Sequence, residues 1–200
     1  MNAAVFRDDS LGCFAVLENF VVTPGREMAS DVVIRNLRSA FSRTPGIPLS
    51  PLMEGLQQAQ LELSIDGSKR STSVTAVQVT DGRVAFVTVG DCRLYIKRNR
   101  GALSRITHDE TNGNYPNHVV GWSLDTDESF TIRQKGLLRT EPGDTFVLLT
   151  RAIYQEGKMG VQSTDDLDDL LRAELERDPV SALMDSAVLD IDRAAIVLRF

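Results

Sequence analysis

The chain has 200 residues, of which 42% are hydrophobic and 25% are charged, and its net charge is −6. This balance is typical of a soluble globular protein and excludes a disordered chain, and the negative charge argues against partners such as nucleic acid or an anionic membrane. No apolar run approaches the roughly 18 residues of a membrane span, and residues 1–10 lack the features of a signal peptide. Two isolated cysteines, Cys13 and Cys92, predict buried thiols in a reducing compartment, so we expect a cytoplasmic protein.

The first third of the chain predicts one strand followed by two helices. Residues 14–17 form a short apolar run typical of a buried strand, which Thr23-Pro24-Gly25 breaks. Apolar residues then recur at helical spacing over residues 26–41 and again over residues 52–63. A connection with three prolines separates the two predicted helices.

The middle of the chain changes to short strands joined by tight turns. The first two strands flank Asp81-Gly82, which is a strong hairpin signal. Local turns and β-branched residues predict antiparallel pairing. The predicted strands cover residues 74–79, 84–89, 93–97, 103–106, 130–134 and 145–150.

The last part returns to helix and closes with a strand. Thr164 can cap a helix that begins at Asp165, a shorter helix is predicted over residues 180–187, and residues 194–200 form an apolar strand. The order of elements predicts an α+β fold with helices packed on sheets, in a single domain over residues 1–200.

One segment, residues 73–107, resembles the protein phosphatase 2C family, also called the PPM family of metal-dependent serine/threonine phosphatases. Its most specific part is GDCRLY at residues 90–95, which is similar to the family's G-D-S-R-A-Y. The Asp81-Gly82 turn precedes it, and ITHD at residues 106–109 follows it, as in the family's L-T-x-D-H.

Further motifs follow in the family's order, so the resemblance spans nearly the whole chain. It implies two stacked antiparallel β-sheets flanked by helices, a four-layer sandwich. Residues 14–17 match the strand before D-G-x-G-G, and residues 25–30 match the helix start after it. Residues 117–124 match the N-x-L-T-R-A-L-G region. Residues 141–149 match the P-G-D strand before S-D-G, and residues 192–200 match the final D-N strand.

The resemblance also implies a chemistry, because the family hydrolyses phosphoserine and phosphothreonine with two Mg²⁺ or Mn²⁺ ions. Carboxylates hold these ions, and a bridging hydroxide attacks phosphorus. Three positions of this chain match metal ligands of the family: Asp9, Glu18 and Asp192. Glu18 keeps the charge of the bridging aspartate on a longer side chain, whereas Asp8-Asp9 can equally be read as a solvated acidic turn.

Several other positions depart from the family's pattern. Arg151 stands where the family has the metal-binding aspartate of S-D-G, and Ala4 stands at the position of the phosphate-holding arginine. Asn19 and the apolar run of residues 20–22 replace the glycine turn, and Val21 and Val22 are better read as core strand residues. Our hypothesis is that Arg151 replaces or excludes the metal and pairs with Asp9, Glu18 or Asp192, with an exposed arginine as the alternative.

These departures leave three functional hypotheses. The first is a degenerate, inactive pseudophosphatase that needs no cofactor and binds a protein partner, such as a phosphoprotein or a kinase or phosphatase complex. The second is a weak serine/threonine phosphatase that uses Mn²⁺ or Mg²⁺. The third is a structural domain of a larger secretion or signalling assembly.

Overall fold

The computed structural model describes residues 3–21, 23–43, 48–65, 70–99, 101–110, 131–154, 180–181 and 193–200. Nine strands and three helices are defined in these residues. In chain order they are β1 (Ala3–Asp8), β2 (Cys13–Val21), α1 (Ala29–Arg43), α2 (Ser50–Ile65), β3 (Ser71–Thr80), β4 (Arg83–Val89), β5 (Arg93–Lys97), β6 (Leu103–Arg105), β7 (Gln134–Arg139), β8 (Thr145–Leu149), α3 (Arg151–Tyr154) and β9 (Ala195–Arg199).

Sheet A has five antiparallel strands in the order β1-β2-β3-β4-β7, and sheet B has four in the order β6-β5-β8-β9. Hairpins connect β1 to β2 and β3 to β4, because short polar turns separate strands of similar length. The second hairpin turns at Asp81 and Gly82, and Gly82 has the positive φ of 69° that such turns favour. This arrangement confirms the predicted α+β fold with two antiparallel sheets.

Helices α1 and α2 cover one face of sheet A. Their buried apolar residues, among them Val33, Leu37 and Leu56, pack against side chains of the sheet such as Leu17 and Val74. The two helices approach each other closely at Gly55, where a Cβ atom would lie 2.9 Å from the Cα atom of Leu37. The helix pair therefore packs as one layer on the sheet.

The other face of sheet A packs against sheet B. This inter-sheet core is built from alternate residues of the strands, including Val77, Phe86, Leu94, Phe146 and Leu148. Phe146 and Phe200 meet edge to face, with their ring centroids 5.4 Å apart. On the outer face of sheet B, Ile153 and Tyr154 of α3 pack against Tyr95, Val147 and Leu149.

Most predicted elements are confirmed within two or three residues, and β5 coincides with the predicted 93–97. Four differ. β1 and α3 were not predicted, and β2 extends four residues beyond the predicted 14–17. The strand predicted over residues 130–134 is wrong, since β7 runs from Gln134 to Arg139. The helix predicted from Asp165 lies outside the described residues. No helix in the described parts of the chain has the length and apolar character needed to cross a membrane.

Candidate functional site

The candidate site lies where β2, β3 and the β4–β5 turn meet at one end of the sandwich. Glu18 of β2 pairs in register with Ser73 of β3. Asp91 follows Gly90, whose positive φ of 89° turns the chain sharply after β4. The hydroxyl of Ser73 donates a hydrogen bond to Asp91 Oδ1 at 2.7 Å. Sheet pairing therefore brings the Glu18 and Asp91 carboxyl groups to the same end of the sandwich.

Both carboxyl groups are buried, with Glu18 6% and Asp91 2% exposed. Burial, with a further contribution from the charge of Asp91, raises the pKa of Glu18 to about 7, although the guanidinium of Arg151 acts in the opposite direction. Burial also raises the pKa of Asp91, although Ser73 and Arg151 act in the opposite direction. The site thus disfavours the state in which both carboxyl groups are ionised at once.

Arg151 reaches this site because of the pairing between β5 and β8. That register sets Arg93 opposite Leu149, so the chain leaving β8 passes beside Asp91 two residues later. Arg151 Nη1 lies 3.4 Å from Asp91 Oδ2, and its side chain is 19% exposed. The guanidinium carbon also lies 5.8 Å from the centre of the Phe20 ring. Arg151 is therefore a partly buried cation paired with a buried carboxylate.

The start of α3 also contacts Glu18 through the backbone. The amides of Arg151 and Ala152 donate hydrogen bonds to the Glu18 carboxyl group and act to lower its pKa. The Oε2 atom of Glu18 is buried and has no hydrogen-bond partner among the described residues. Since a buried charged oxygen without a partner is costly, this atom favours the protonated acid.

A second layer of side chains holds the turn that carries Asp91. The hydroxyl of Tyr154 donates a hydrogen bond to the backbone carbonyl of Asp91. The guanidinium of Arg93 stacks over the Tyr154 ring, 3.4 Å from its centre, and binds both carboxylate oxygens of Asp109 at 2.9 and 2.6 Å. Glu110 accepts a hydrogen bond from the amide of Gly90 at 2.9 Å. This network fixes the position of the turn.

Comparisons with known proteins give structural matches only, since no protein-family model and no curated protein matches the sequence. PppA, a key regulatory component of the T6SS in Pseudomonas aeruginosa, superposes with a TM-score of 0.77 at 21% identity, over 99% of this chain and 90% of PppA. The PPM Ser-Thr phosphatase MsPP from Mycobacterium smegmatis gives 0.71 at 21%, over 98% and 89%. The catalytic domain of PstP, a serine/threonine phosphatase solved with two manganese ions, gives 0.70 at 19%, over 98% and 90%.

The chain has the PPM phosphatase fold. These matches cover almost all of this chain, so the two sheets and their helices correspond to those of the PPM phosphatases as a whole. Because only about a fifth of the aligned residues are identical, the likeness concerns the fold alone. The chemistry depends on the side chains of this chain.

One metal-ligand assignment made from the sequence does not fit this PPM fold. Asp9 follows β1, and the hairpin register sets Ala3, not Asp9, opposite Glu18. The five residue-to-residue steps from Ala3 to Asp8 span roughly 17 Å of extended strand. The Asp9 side chain is 65% exposed and pairs with Arg7 at 2.9 Å. Asp9 therefore lies away from Glu18 in this structure, in the geometry of the solvated acidic turn that was the alternative interpretation.

Of the other predicted positions, Glu18 lies at the site, whereas Asp192 is outside the described residues. The pairing of Arg151 with Asp91 was not among the partners expected from the sequence. Asp91 belongs to the GDCRLY motif, which was interpreted only as evidence for the fold. The sequence therefore contained a motif that could have identified this carboxylate.

The donor atoms at the site can be compared with the needs of a metal centre. Divalent Mg²⁺ or Mn²⁺ requires several anionic or neutral oxygens in one place. In the described part of the chain, no three His, Cys, Asp or Glu residues form a group that could hold a metal ion. Among the described residues, the carboxyl donors at the site are Glu18 and Asp91, with the guanidinium of Arg151 beside them. By themselves these described side chains do not fit a pair of divalent ions.

Proposed function

We propose that this chain is a pseudophosphatase, a PPM-fold domain over residues 1–200 that binds a protein partner and does not hydrolyse phosphate esters. One observation carries the proposal: the guanidinium of Arg151 lies 3.4 Å from Asp91 and acts electrostatically on Glu18. A cation fixed to the chain thus stands at the carboxyl groups that a metal ion would need.

Electrostatic repulsion decides between the arginine and a metal ion. At about 4 Å and an effective dielectric constant of about 20, two unit charges repel by roughly 4 kcal/mol. That repulsion would weaken metal binding by roughly a thousandfold. An arginine side chain keeps its charge at every pH at which the protein is folded, so the repulsion cannot be relieved by deprotonation.

Arg151 also supplies the positive charge that a metal ion would otherwise place beside the two carboxyl groups. The charge of Asp91 raises the pKa of the buried Glu18, and the guanidinium of Arg151 acts to lower the pKa of both carboxyl groups, which reduces the cost of burying them. The domain can therefore keep the PPM fold without an ion. A fold that is retained while its catalytic site is changed is suited to binding.

The partner we propose is a protein, either a phosphoprotein or a component of a kinase or phosphatase complex, in the cytoplasm. PppA, which shares this fold, is described as a regulatory component of the T6SS. A regulatory domain inside such an assembly would also satisfy our third hypothesis, because binding and assembly use the same surfaces.

The test is calorimetric titration with Mn²⁺ of the wild-type protein and of Arg151→Asp. We expect no heat of binding for the wild type and measurable binding for the variant, which exchanges the cation for a carboxylate. Arg83→Asp is the matched control, because Arg83 is exposed at the start of β4 and pairs in register with Thr80 and Arg139. It makes the same change of charge away from the site and should not bind Mn²⁺.

Hydrolysis of a phosphothreonine peptide with millimolar Mn²⁺ completes the test. We expect no release of phosphate from the wild-type protein above that of a heat-inactivated sample. Tight Mn²⁺ binding together with turnover by the wild type would overturn the proposal.

A second candidate function is favoured by the buried Oε2 atom of Glu18, which lacks a partner among the described residues. A weak phosphatase that uses one Mn²⁺ or Mg²⁺ ion would place that ion on this oxygen. In that case Glu18→Gln should abolish Mn²⁺-dependent phosphate release, whereas a pseudophosphatase has no such activity to lose.

A further inference from the structure

Strand β9 forms an open edge of sheet B. The strand order is β6-β5-β8-β9, and among the described residues no strand pairs with the outer side of β9. At its two ends, the amide of Ala194 donates to Thr150 Oγ1 and the amide of Phe200 donates to the carbonyl of Asp144. Even-numbered residues of this strand therefore direct their backbone towards β8. Because the direction alternates along a strand, Ala195, Val197 and Arg199 direct N–H and C=O groups outwards.

Sheet A extends beyond this edge. Strand β2 packs against β9, and β1 lies on the far side of β2. The β1–β2 hairpin thus overhangs a place in sheet B where no described strand lies. A cleft of about 370 Å³ is found there. Its apolar lining comes from Phe14, Val79, Ile196, Leu198 and Phe200.

We propose that this cleft binds an extended segment of a partner protein, which pairs with β9 and adds a fifth strand to sheet B. Strand addition at a sheet edge takes its affinity from backbone hydrogen bonds and its specificity from alternate side chains. The outward N–H and C=O groups of Ala195, Val197 and Arg199 supply the hydrogen bonds. The apolar lining receives every second side chain of the segment.

The overhang selects a single strand over a second copy of this chain. If two copies paired through their β9 strands, each β9 would bring its own β2 above it. That β2 would occupy the space that the β1–β2 hairpin of the other copy already fills. A segment without a second sheet above it has no such conflict.

Charge at the rim further defines the segment. Arg199 is exposed at the end of β9, and Arg7 lines the same cleft, with Asp9 as its ion-pair partner. The charged side chains that line the cleft therefore sum to one positive charge, in a chain whose net charge is −6. The segment that fits is an alternation of apolar and polar residues with an acidic residue near Arg199.

The experiment uses a phage-displayed library of random dodecapeptides selected on the immobilised full chain. We expect enrichment of peptides that alternate β-branched and polar residues and contain an Asp or Glu. The enriched sequence is then synthesised, labelled with fluorescein and measured by fluorescence anisotropy against three variants.

Val197→Pro removes an outward N–H without removing a bond to β8, and it should weaken binding by about tenfold, the equivalent of one backbone hydrogen bond.

Val197→Thr is the matched control, because it changes the same side chain but keeps the N–H, and it should bind within about twofold of wild type. Arg199→Glu should shift the preference from acidic to basic peptides, and it carries the test if the proline variant fails to fold. Three results would overturn the proposal: no enrichment, peptides indifferent to both Val197→Pro and Arg199→Glu, or a wild-type dimer that Val197→Pro dissociates. None of them bears on the metal titration, so the two proposals fail separately.

Discussion

Glu18 and Asp91 are two buried carboxyl groups at the same end of the sandwich, yet their surroundings differ. Asp91 sits on a tight turn, and side chains from β3 and α3 bind its two oxygens. Glu18 lies within a long strand, and its contacts come from the backbone at the start of α3, with one oxygen left without a partner. The β4–β5 turn thus gives Asp91 two side-chain partners that favour its charged form, whereas the surroundings of Glu18 in β2 favour its protonated form.

The largest effect should come from removing the cation that both carboxyl groups face. Arg151→Ala removes the ion-pair partner of Asp91. Glu18 then faces the charge of Asp91 without a cation to offset it. Breaking a partly buried pair in this way should lower the free energy of unfolding by about 3 kcal/mol. In a chain of this size that corresponds to about 6–12 °C in Tm, measured by differential scanning calorimetry.

Arg83→Ala is the control for that measurement, because it removes an exposed arginine. It should leave the Tm unchanged within about a degree. A loss of only a degree or two in Arg151→Ala as well would show that Arg151 is a solvated side chain without a structural role.

The pH dependence of stability should come next, and it tests the proton assigned to Glu18. The pKa of Glu18 rises on folding from its ordinary value of 4.5 to about 7. The unfolded chain therefore loses this proton at lower pH than the folded one. Stability from this group is fully present below about pH 4.5 and decreases as the pH rises through 7, by about 3 kcal/mol in all.

Glu18→Gln removes this titration, so the difference in stability between wild type and variant isolates it. Urea denaturation at intervals between pH 4.5 and pH 8 should show the wild type falling relative to the variant. A difference that stays constant over this range would mean that Glu18 is already ionised at pH 4.5 in the folded protein.

A smaller effect is expected on the Asp91 side of the comparison. Tyr154→Phe removes the hydroxyl that binds the Asp91 carbonyl but keeps the ring over which Arg93 stacks. One buried acceptor is left without a partner, so the free energy of unfolding should fall by about 1–2 kcal/mol in urea denaturation. Tyr154→Ala, which also removes the stacked ring, should cost more, and equal losses would mean that the hydroxyl contributes nothing.

The smallest effect should be found outside the site. Asp9→Asn breaks an exposed ion pair with Arg7, and such pairs contribute little. The Tm should change by no more than about 1 °C. Added to Arg151→Asp, Asp9→Asn should leave the Mn²⁺ binding of that variant unchanged, and a loss of binding would contradict the position of Asp9 found in the structure.

The sequence predicted the fold well because its signals were local. The turn at Asp81-Gly82 and the alternating strands on either side of it determine a hairpin without reference to the rest of the chain. Strand β1 escaped prediction because Ala3–Asp8 is a mixed stretch in which only Ala3 and Phe6 are buried. It is a strand because it pairs with β2, and edge pairing of this kind leaves little periodicity in the sequence.

The site was harder to predict because it depends on register. Aligning two acidic residues by type placed Asp9 at the site, but the hairpin pairing moves it to the opposite end of β1. Arg151 could be identified from the P-G-D motif that precedes it in the chain. Its pairing with Asp91 could not be predicted, since the contact depends on how β5 pairs with β8, and a one-residue shift would point the side chain to the other face.

The position of Arg151 has one more consequence. A bound ion exchanges with its surroundings and is lost on dilution or to a chelator, but a guanidinium attached to the backbone cannot leave. The charge beside Asp91 and Glu18 is therefore set when the chain is synthesised, and it is the same at every concentration of free manganese. The folded domain should keep its melting temperature in EDTA.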